Sequence, residues 1–125
     1  MARIVLAEDD EELRKLLVLL LRRRGYEVAE APDGDTAMKL IKNERTDLAL
    51  LDITMPGKSG LHIMNELAAE PGMAQIPVLL LTARNQREIV AAGKRLGAKS
   101  YILKPFRNAD VIKRVAQALG EVTDD

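Results

Sequence analysis

The chain has 125 residues, 47% of them apolar and 30% charged, with Lys plus Arg matching Asp plus Glu at 19 each. That length suits one domain with a genuine core, the apolar share argues for a folded chain, and the charge balance gives no overall field toward nucleic acid or anionic membrane. The lack of cysteine excludes disulfides, thiolate catalysis and Cys-ligated metals, and one Phe, two Tyr and no Trp leave few surfaces for stacking a base or a flavin.

The chain opens directly on a strand pattern, without the charged and apolar regions of a signal peptide, and its longest apolar run, Leu16 to Leu21, is too short to span a bilayer. A cytoplasmic location is therefore expected. The first strand is read at Arg3–Ala7 and stops at the acidic cluster Glu8-Asp9-Asp10. Glu11–Arg24 follows as an amphipathic helix with Leu13, Leu16, Leu17 and Leu20 on its inner face and Gly25 as C-terminal cap. Val18 and Leu19 fall off that face and read as surface apolars. A second strand, Glu27–Ala31, ends quietly in Pro32-Asp33-Gly34, consistent with a sheet edge. The helix Asp35–Glu44 presents Ala37, Leu40 and Ile41.

The third strand, Asp47–Leu51, is an apolar run that stops at the carboxylate of Asp52 and then breaks into Met55-Pro56-Gly57. Helix Gly60–Glu70 presents Leu61, Met64, Leu67 and Ala68 and is stopped by Pro71-Gly72. Strand Val78–Leu81 leads to Thr82-Ala83 and a helix over Asn85–Leu96, ended by Gly97. Strand Ser100–Leu103 ends in Lys104-Pro105, and the last helix, Asn108–Leu119, takes Asn108 as N-cap and turns Val111, Ile112, Val115 and Leu119 inward.

Five strand–helix units with short crossovers imply a parallel sheet covered on both faces, with its ligand site beyond the carboxyl ends of the strands. The conspicuous polar residues fall at those ends: Glu8-Asp9-Asp10, Asp52, Thr82 and Lys104. Three carboxylates and a lysine at separate strand ends suit a magnesium site beside a nucleophilic aspartate. Glu8 and Asp9 can hold the ion, with Asp52 both ligand and phosphoryl acceptor, while Lys104 and the Thr82 hydroxyl neutralise phosphoryl oxygens.

At these residues the chain resembles the receiver domains of two-component response regulators. The motifs are Glu8-Asp9-Asp10, Asp52 with Met55-Pro56 and Gly60, Thr82-Ala83, and Tyr101-Ile102-Leu103-Lys104-Pro105-Phe106, in order over essentially the whole chain. The resemblance implies one receiver domain over residues 1–125, an α/β fold with a doubly wound (βα)5 sheet of order 2-1-3-4-5, flavodoxin-like. It implies Asp52 as phosphoacceptor, Mg2+ held by Glu8, Asp9, Asp52 and the Thr54 backbone carbonyl, Lys104 contacting the phosphoryl group, Thr82 and Tyr101 as switch residues, and a cis bond before Pro105. Asp10 lies just past the acidic pair and reads as a carboxylate favoured by the helix dipole.

The partners implied are a histidine kinase or phosphotransfer protein and an unidentified downstream target, with no nucleic acid or membrane bound by this domain. The family's kinases dock on the first helix, which gives Val18 and Leu19 a partner-facing role as a second reading. The oligomeric expectation is a monomer or a weak phosphorylation-dependent dimer, and the domain is expected either to stand alone or to belong to a longer regulator.

Three positions depart from the common pattern. Thr54 stands where Asn or Met is frequent, near the path of an attacking water, so the family's dephosphorylation rate does not carry over. Glu8 replaces the commoner Asp with the same charge. Lys99-Ser100 stands where transcription-factor receivers carry an acidic pair used in dimer salt bridges.

Other functions meet obstacles. A haloacid-dehalogenase-type phosphatase places a second Asp where this chain has Thr54. A flavodoxin-like electron carrier needs a phosphate-cradling loop where Glu8 to Glu12 would repel phosphate. A receiver that binds partners without being phosphorylated is the remaining alternative, opposed by the complete acidic set with Thr82 and Lys104. His62, the single histidine, has no kinase-like surroundings.

Overall fold

A computed structural model describes residues 1–83 and 87–121. Five strands and five helices alternate: β1 Arg3–Ala7, α1 Glu11–Arg23, β2 Glu27–Ala31, α2 Gly34–Asn43, β3 Leu48–Asp52, α3 Gly60–Ala69, β4 Val78–Thr82, α4 Arg87–Arg95, β5 Ser100–Leu103 and α5 Asn108–Ala118. All strand pairs are parallel, in the order β2-β1-β3-β4-β5. This is the doubly wound, flavodoxin-like α/β sheet expected from the alternation. The start of the fourth helix read at Asn85 lies outside the described residues.

Strands β1, β3 and β4 are buried at every position, which is why they read as unbroken apolar runs. Their alternate residues feed two cores. Ile4, Leu6, Leu48, Leu50, Leu79 and Leu81 pack with Leu17, Leu21, Val111 and Val115 of α1 and α5. Val5, Ala49, Leu51 and Leu80 pack with Ala37, Met38 and Ile41 of α2 and Ile63, Met64 and Leu67 of α3.

Rotation of α1 differs from the expectation. Leu17, Val18 and Leu21 are buried, whereas Leu16 is 38% and Leu19 48% exposed. Six consecutive apolar residues carry no periodicity, so only the fit against β1, β2 and α5 selects the inward set. On α3, likewise, Ile63 is buried and Ala68 exposed.

Helix starts are set by side chains that accept from first-turn N–H groups: Asp10 from Leu13, Asp33 from Thr36 and Ser59 from His62. Asn108 is not a cap. It is the first residue of α5, Arg107 holds the cap position, and no side-chain cap bond forms. After α1, Gly25 takes φ +88° and donates to the Arg22 carbonyl while Tyr26 N–H returns to that of Leu21, a left-handed close that turns the chain into β2.

Candidate functional site

The parallel sheet brings the carboxyl ends of β1, β3, β4 and β5 to one rim. There Glu8 follows β1, Asp52 is the last residue of β3, Thr82 the last of β4, and Lys104 follows β5. The ladder carries Asp52 inside the strand rather than after it: Asp52 is in register with Leu81, whose carbonyl accepts from Ile53 N–H. Its carboxylate is therefore held by sheet geometry rather than by a loop.

Glu8 is fully buried and Asp52 is 5% exposed, while Asp9 is open to solvent. One carboxylate oxygen from each of the three lies within 4.8 Å of the others. Asp52 Oδ1 accepts from Thr54 N–H at 3.1 Å, and Glu8 Oε2 accepts from Asp10 N–H at 3.2 Å. The Lys104 ammonium lies 2.8 Å from both Asp52 Oδ2 and Glu8 Oε1. It donates a hydrogen bond to Asp52, whereas its approach to Glu8 is off the line such a bond requires. Glu8 Oε1 thus has a counter-ion but no directed donor, in a place water does not reach.

These positions shift two pKa values. Burial pushes the Glu8 carboxyl up to about 7, and the adjoining Asp52 carboxylate adds to the rise against the pull of Lys104. Burial works to lower the Lys104 ammonium, but its contacts with Asp52 and Glu8 outweigh that and hold it above the usual lysine range. Hard oxygen donors at this spacing, with one buried oxygen lacking a donor, fit a small divalent cation such as Mg2+ and do not fit a soft metal. Glu8, Asp9 and Asp52 are the residues that would hold it. Thr54 is exposed two residues beyond Asp52.

The remaining candidates sit nearby. Thr82 is 1% exposed and its hydroxyl donates to the Ala83 carbonyl at 3.2 Å. Tyr101 is half-buried on β5 opposite Leu80, with Lys94 Nζ 4.8 Å from its ring centroid. The Lys104–Pro105 peptide bond is cis. His62 is exposed on α3 and faces Glu66 rather than the acidic cluster.

Two contributors were not legible in the sequence. Arg14 of α1 donates from Nη1 to the Glu8 carbonyl at 2.9 Å while its Nε meets Glu30 at 3.2 Å, tying the acidic turn to α1 and β2. Gly34, the first residue of α2, lies against the turn that follows Asp52: an added Cβ would overlap the Lys58 carbonyl oxygen. A basic residue one turn into α1 and a glycine at a helix start are the only signals either left.

A doubly wound sheet that gathers three carboxylates and a lysine at the mouth of its central strands defines an α/β domain with an acidic pocket at its carboxyl rim. The model of the response regulator receiver domain matches residues 4–116. The chain belongs to that family. It is 34% identical over 123 residues to the DNA-binding response regulator MtrA of Mycolicibacterium paratuberculosis, covering 98% of this chain and 53% of that protein. It is 33% identical over 121 residues to the phosphate regulon transcriptional regulatory protein PhoB of Escherichia coli, covering 97% and 53%. The chain thus spans about half the length of the curated relatives it matches.

Among solved structures, a putative response regulator from Chloroflexus aurantiacus superposes with a TM-score of 0.90 at 30% identity, over 96% of this chain and 98% of that one. The receiver domain of a sensor histidine kinase from Pseudomonas aeruginosa, solved with a magnesium ion coordinated in its active site cleft, gives a TM-score of 0.87 at 26% identity, over 96% and 98%.

Proposed function

We propose that this domain is a phosphorylation-dependent switch of a two-component or phosphorelay system, with Asp52 as the acceptor. The observation that carries the reading is Asp52 itself, a nearly buried carboxylate fixed at the end of a central strand between a lysine and two further acids. An Asp52 carboxylate oxygen attacks the phosphorus of a phosphohistidine on a kinase or phosphotransfer protein. The new O–P bond forms as the N–P bond breaks, and the departing imidazole nitrogen keeps the electron pair and takes a proton. Glu8, Asp9, Asp52 and the Thr54 carbonyl would hold Mg2+, which when bound would supply neutralising charge for the phosphoryl oxygens.

The chain's own residues do the rest. Lys104 exchanges its contact with Asp52 for one with the transferred group, and the Thr82 hydroxyl leaves the Ala83 carbonyl to donate to a phosphoryl oxygen. Slow hydrolysis of the acyl phosphate resets the switch. A phosphoryl group adds about −1.5 to −2 charge and three acceptor oxygens, enough to bias pre-existing positions of Thr82 and Tyr101. Residues 1–125 act as one receiver domain in the cytoplasm, as the family's phosphohistidine donors require. No helix among the described residues is long and apolar enough to cross a membrane.

Incubation with acetyl phosphate and Mg2+, followed by intact-mass analysis, tests the assignment. One labile phosphoryl adduct is expected in the parent and none in Asp52→Asn; an adduct that persists in the variant removes Asp52 from the role.

A further inference from the structure

The turn that follows β1 is held at several of its polar groups. Glu8 N–H donates to the Ala31 carbonyl at 3.1 Å, Asp10 N–H to Glu8 Oε2 at 3.2 Å, and the Asp10 carbonyl accepts from Arg14 N–H at 2.9 Å. Asp9 is different: it is exposed, and its carboxylate has no hydrogen bond or ion pair among the described residues. Yet one of its oxygens lies within 4.8 Å of oxygens from Glu8 and Asp52. An exposed carboxylate without a partner takes its place from the two peptide planes that flank its own Cα. Glu8 Oε2 fixes the Asp9–Asp10 plane through the Asp10 N–H. The Glu8–Asp9 plane is fixed by a side chain from outside the turn.

That side chain is Arg14. Its Nη1 donates to the Glu8 carbonyl at 2.9 Å, and its Nε meets Glu30 Oε1 at 3.2 Å. The guanidinium is planar, so two contacts from different nitrogens set its orientation as well as its position. Its side chain is 14% exposed, whereas that of the next cation on α1, Lys15, is 70% exposed and pairs with Glu11 one turn away. The ion pair of Arg14 is with β2 and not with a carboxylate of the acidic site. Strand β2 supplies none of the three carboxylates, but through Glu30 and the Ala31 carbonyl it holds the turn that carries two of them.

We propose that Arg14, oriented by Glu30, is a positioning residue for the divalent cation, fixing the Glu8–Asp9 peptide so that Asp9 stands at ligand distance. This role rests on the reading of Glu8, Asp9 and Asp52 as the Mg2+ site, and it adds two residues that supply the ion no ligand. It also has a sign of its own. A cation acting on the acidic cluster through charge alone opposes a second cation, so its removal would tighten Mg2+ binding. A cation acting through the Glu8 carbonyl has the opposite effect, because the ligand it aligns is loosened when it is removed.

The test titrates the intact, unphosphorylated chain with MgCl2 at constant ionic strength, at a temperature where melts show every variant folded, and follows the amide resonances of Asp9, Asp10 and Thr54. Arg14→Met, which keeps an apolar stem of similar length, is expected to weaken Mg2+ binding about tenfold. Arg14→Lys should weaken it almost as much, because a point ammonium cannot hold the Glu8 carbonyl and Glu30 in one plane. Glu30→Gln leaves the bonds within the turn intact and should cost about threefold. In an Asp9→Asn background, Arg14→Met should cost less than about twofold, since the ligand it aligns is already gone. An equal cost in both backgrounds, full rescue by Lys, or tighter binding in Arg14→Met would each overturn the proposal. Loss of binding in Asp9→Asn with none in Arg14→Met or Glu30→Gln would overturn it and leave the metal site standing. Unchanged binding in Asp9→Asn would remove the site itself, and the role of Arg14 with it.

Discussion

Asp52→Asn should flatten the dependence of stability on pH. Glu8 is fully buried, and burial with the neighbouring Asp52 carboxylate raises it from 4.5 to about 7. A carboxyl whose folded pKa is raised binds its proton more tightly in the folded state. Its contribution to stability is complete below about pH 4.5 and is lost as pH climbs through 7. At about 1.4 kcal/mol per unit, the loss between about pH 5 and 8 is on the order of 2–3 kcal/mol. Two carboxylates about 4 Å apart repel by about 4 kcal/mol at an effective dielectric near 20, so Asp52 accounts for a large part of the rise. In Asp52→Asn that repulsion is gone and Lys104 remains 2.8 Å from Glu8 as a counter-ion. The loss over the same range should shrink to about 1 kcal/mol, leaving the variant as stable as the parent near pH 5 and more stable at pH 8. Denaturant unfolding followed by far-UV circular dichroism, in a chelator, measures both proteins at each pH. Contributions from groups outside the acidic site are common to both proteins and cancel in the comparison. Parallel pH profiles would refute the reasoning, because they would mean that Asp52 does not set the state of Glu8.

Mg2+ should raise the melting temperature of the parent by a few degrees, since ligand at about ten times a millimolar Kd adds about 1.4 kcal/mol; Asp9→Asn should shift much less, and equal shifts in thermal melts would put the ion elsewhere. Gly34→Ala should cost about 2 kcal/mol in denaturant titrations, because the new Cβ overlaps the Lys58 carbonyl and backbone must move; no change would mean that α2 slides freely on the Asp52 turn. Tyr26→Phe should lose about 1 kcal/mol, from the 2.6 Å bond its hydroxyl donates to Glu121 Oε1. Burial, then that bond, pushes the Tyr26 hydroxyl up to about 12, so this contribution holds below pH 10 and fades as pH rises through 12. Melts of the two proteins should therefore converge at high pH.

Fold class and the position of the site were legible because both depend on local signals. Runs such as Leu48–Leu51 and Val78–Leu81 can only be strands covered on both faces, and short crossovers force them parallel. Once parallel, every strand end lies on one rim, so Glu8, Asp52, Thr82 and Lys104 converge without any knowledge of packing. Tertiary structure alone decided how they meet. The Lys104 ammonium reaches both Asp52 and Glu8 because sheet order places β1 and β3 side by side and Lys104 beyond β4, relations that no local pattern encodes. Helix rotation was hidden for the same reason: Val18 turns inward and Leu16 outward in a stretch where every residue is apolar, and only complementary surfaces on the sheet and α5 distinguish them. Gly34 and Arg14 gained their roles from contacts with Lys58 and Glu8, set by the way neighbouring elements pack. A chain's periodicity determines which elements form and which way they run; which side chains touch is determined by close packing among surfaces distant in sequence.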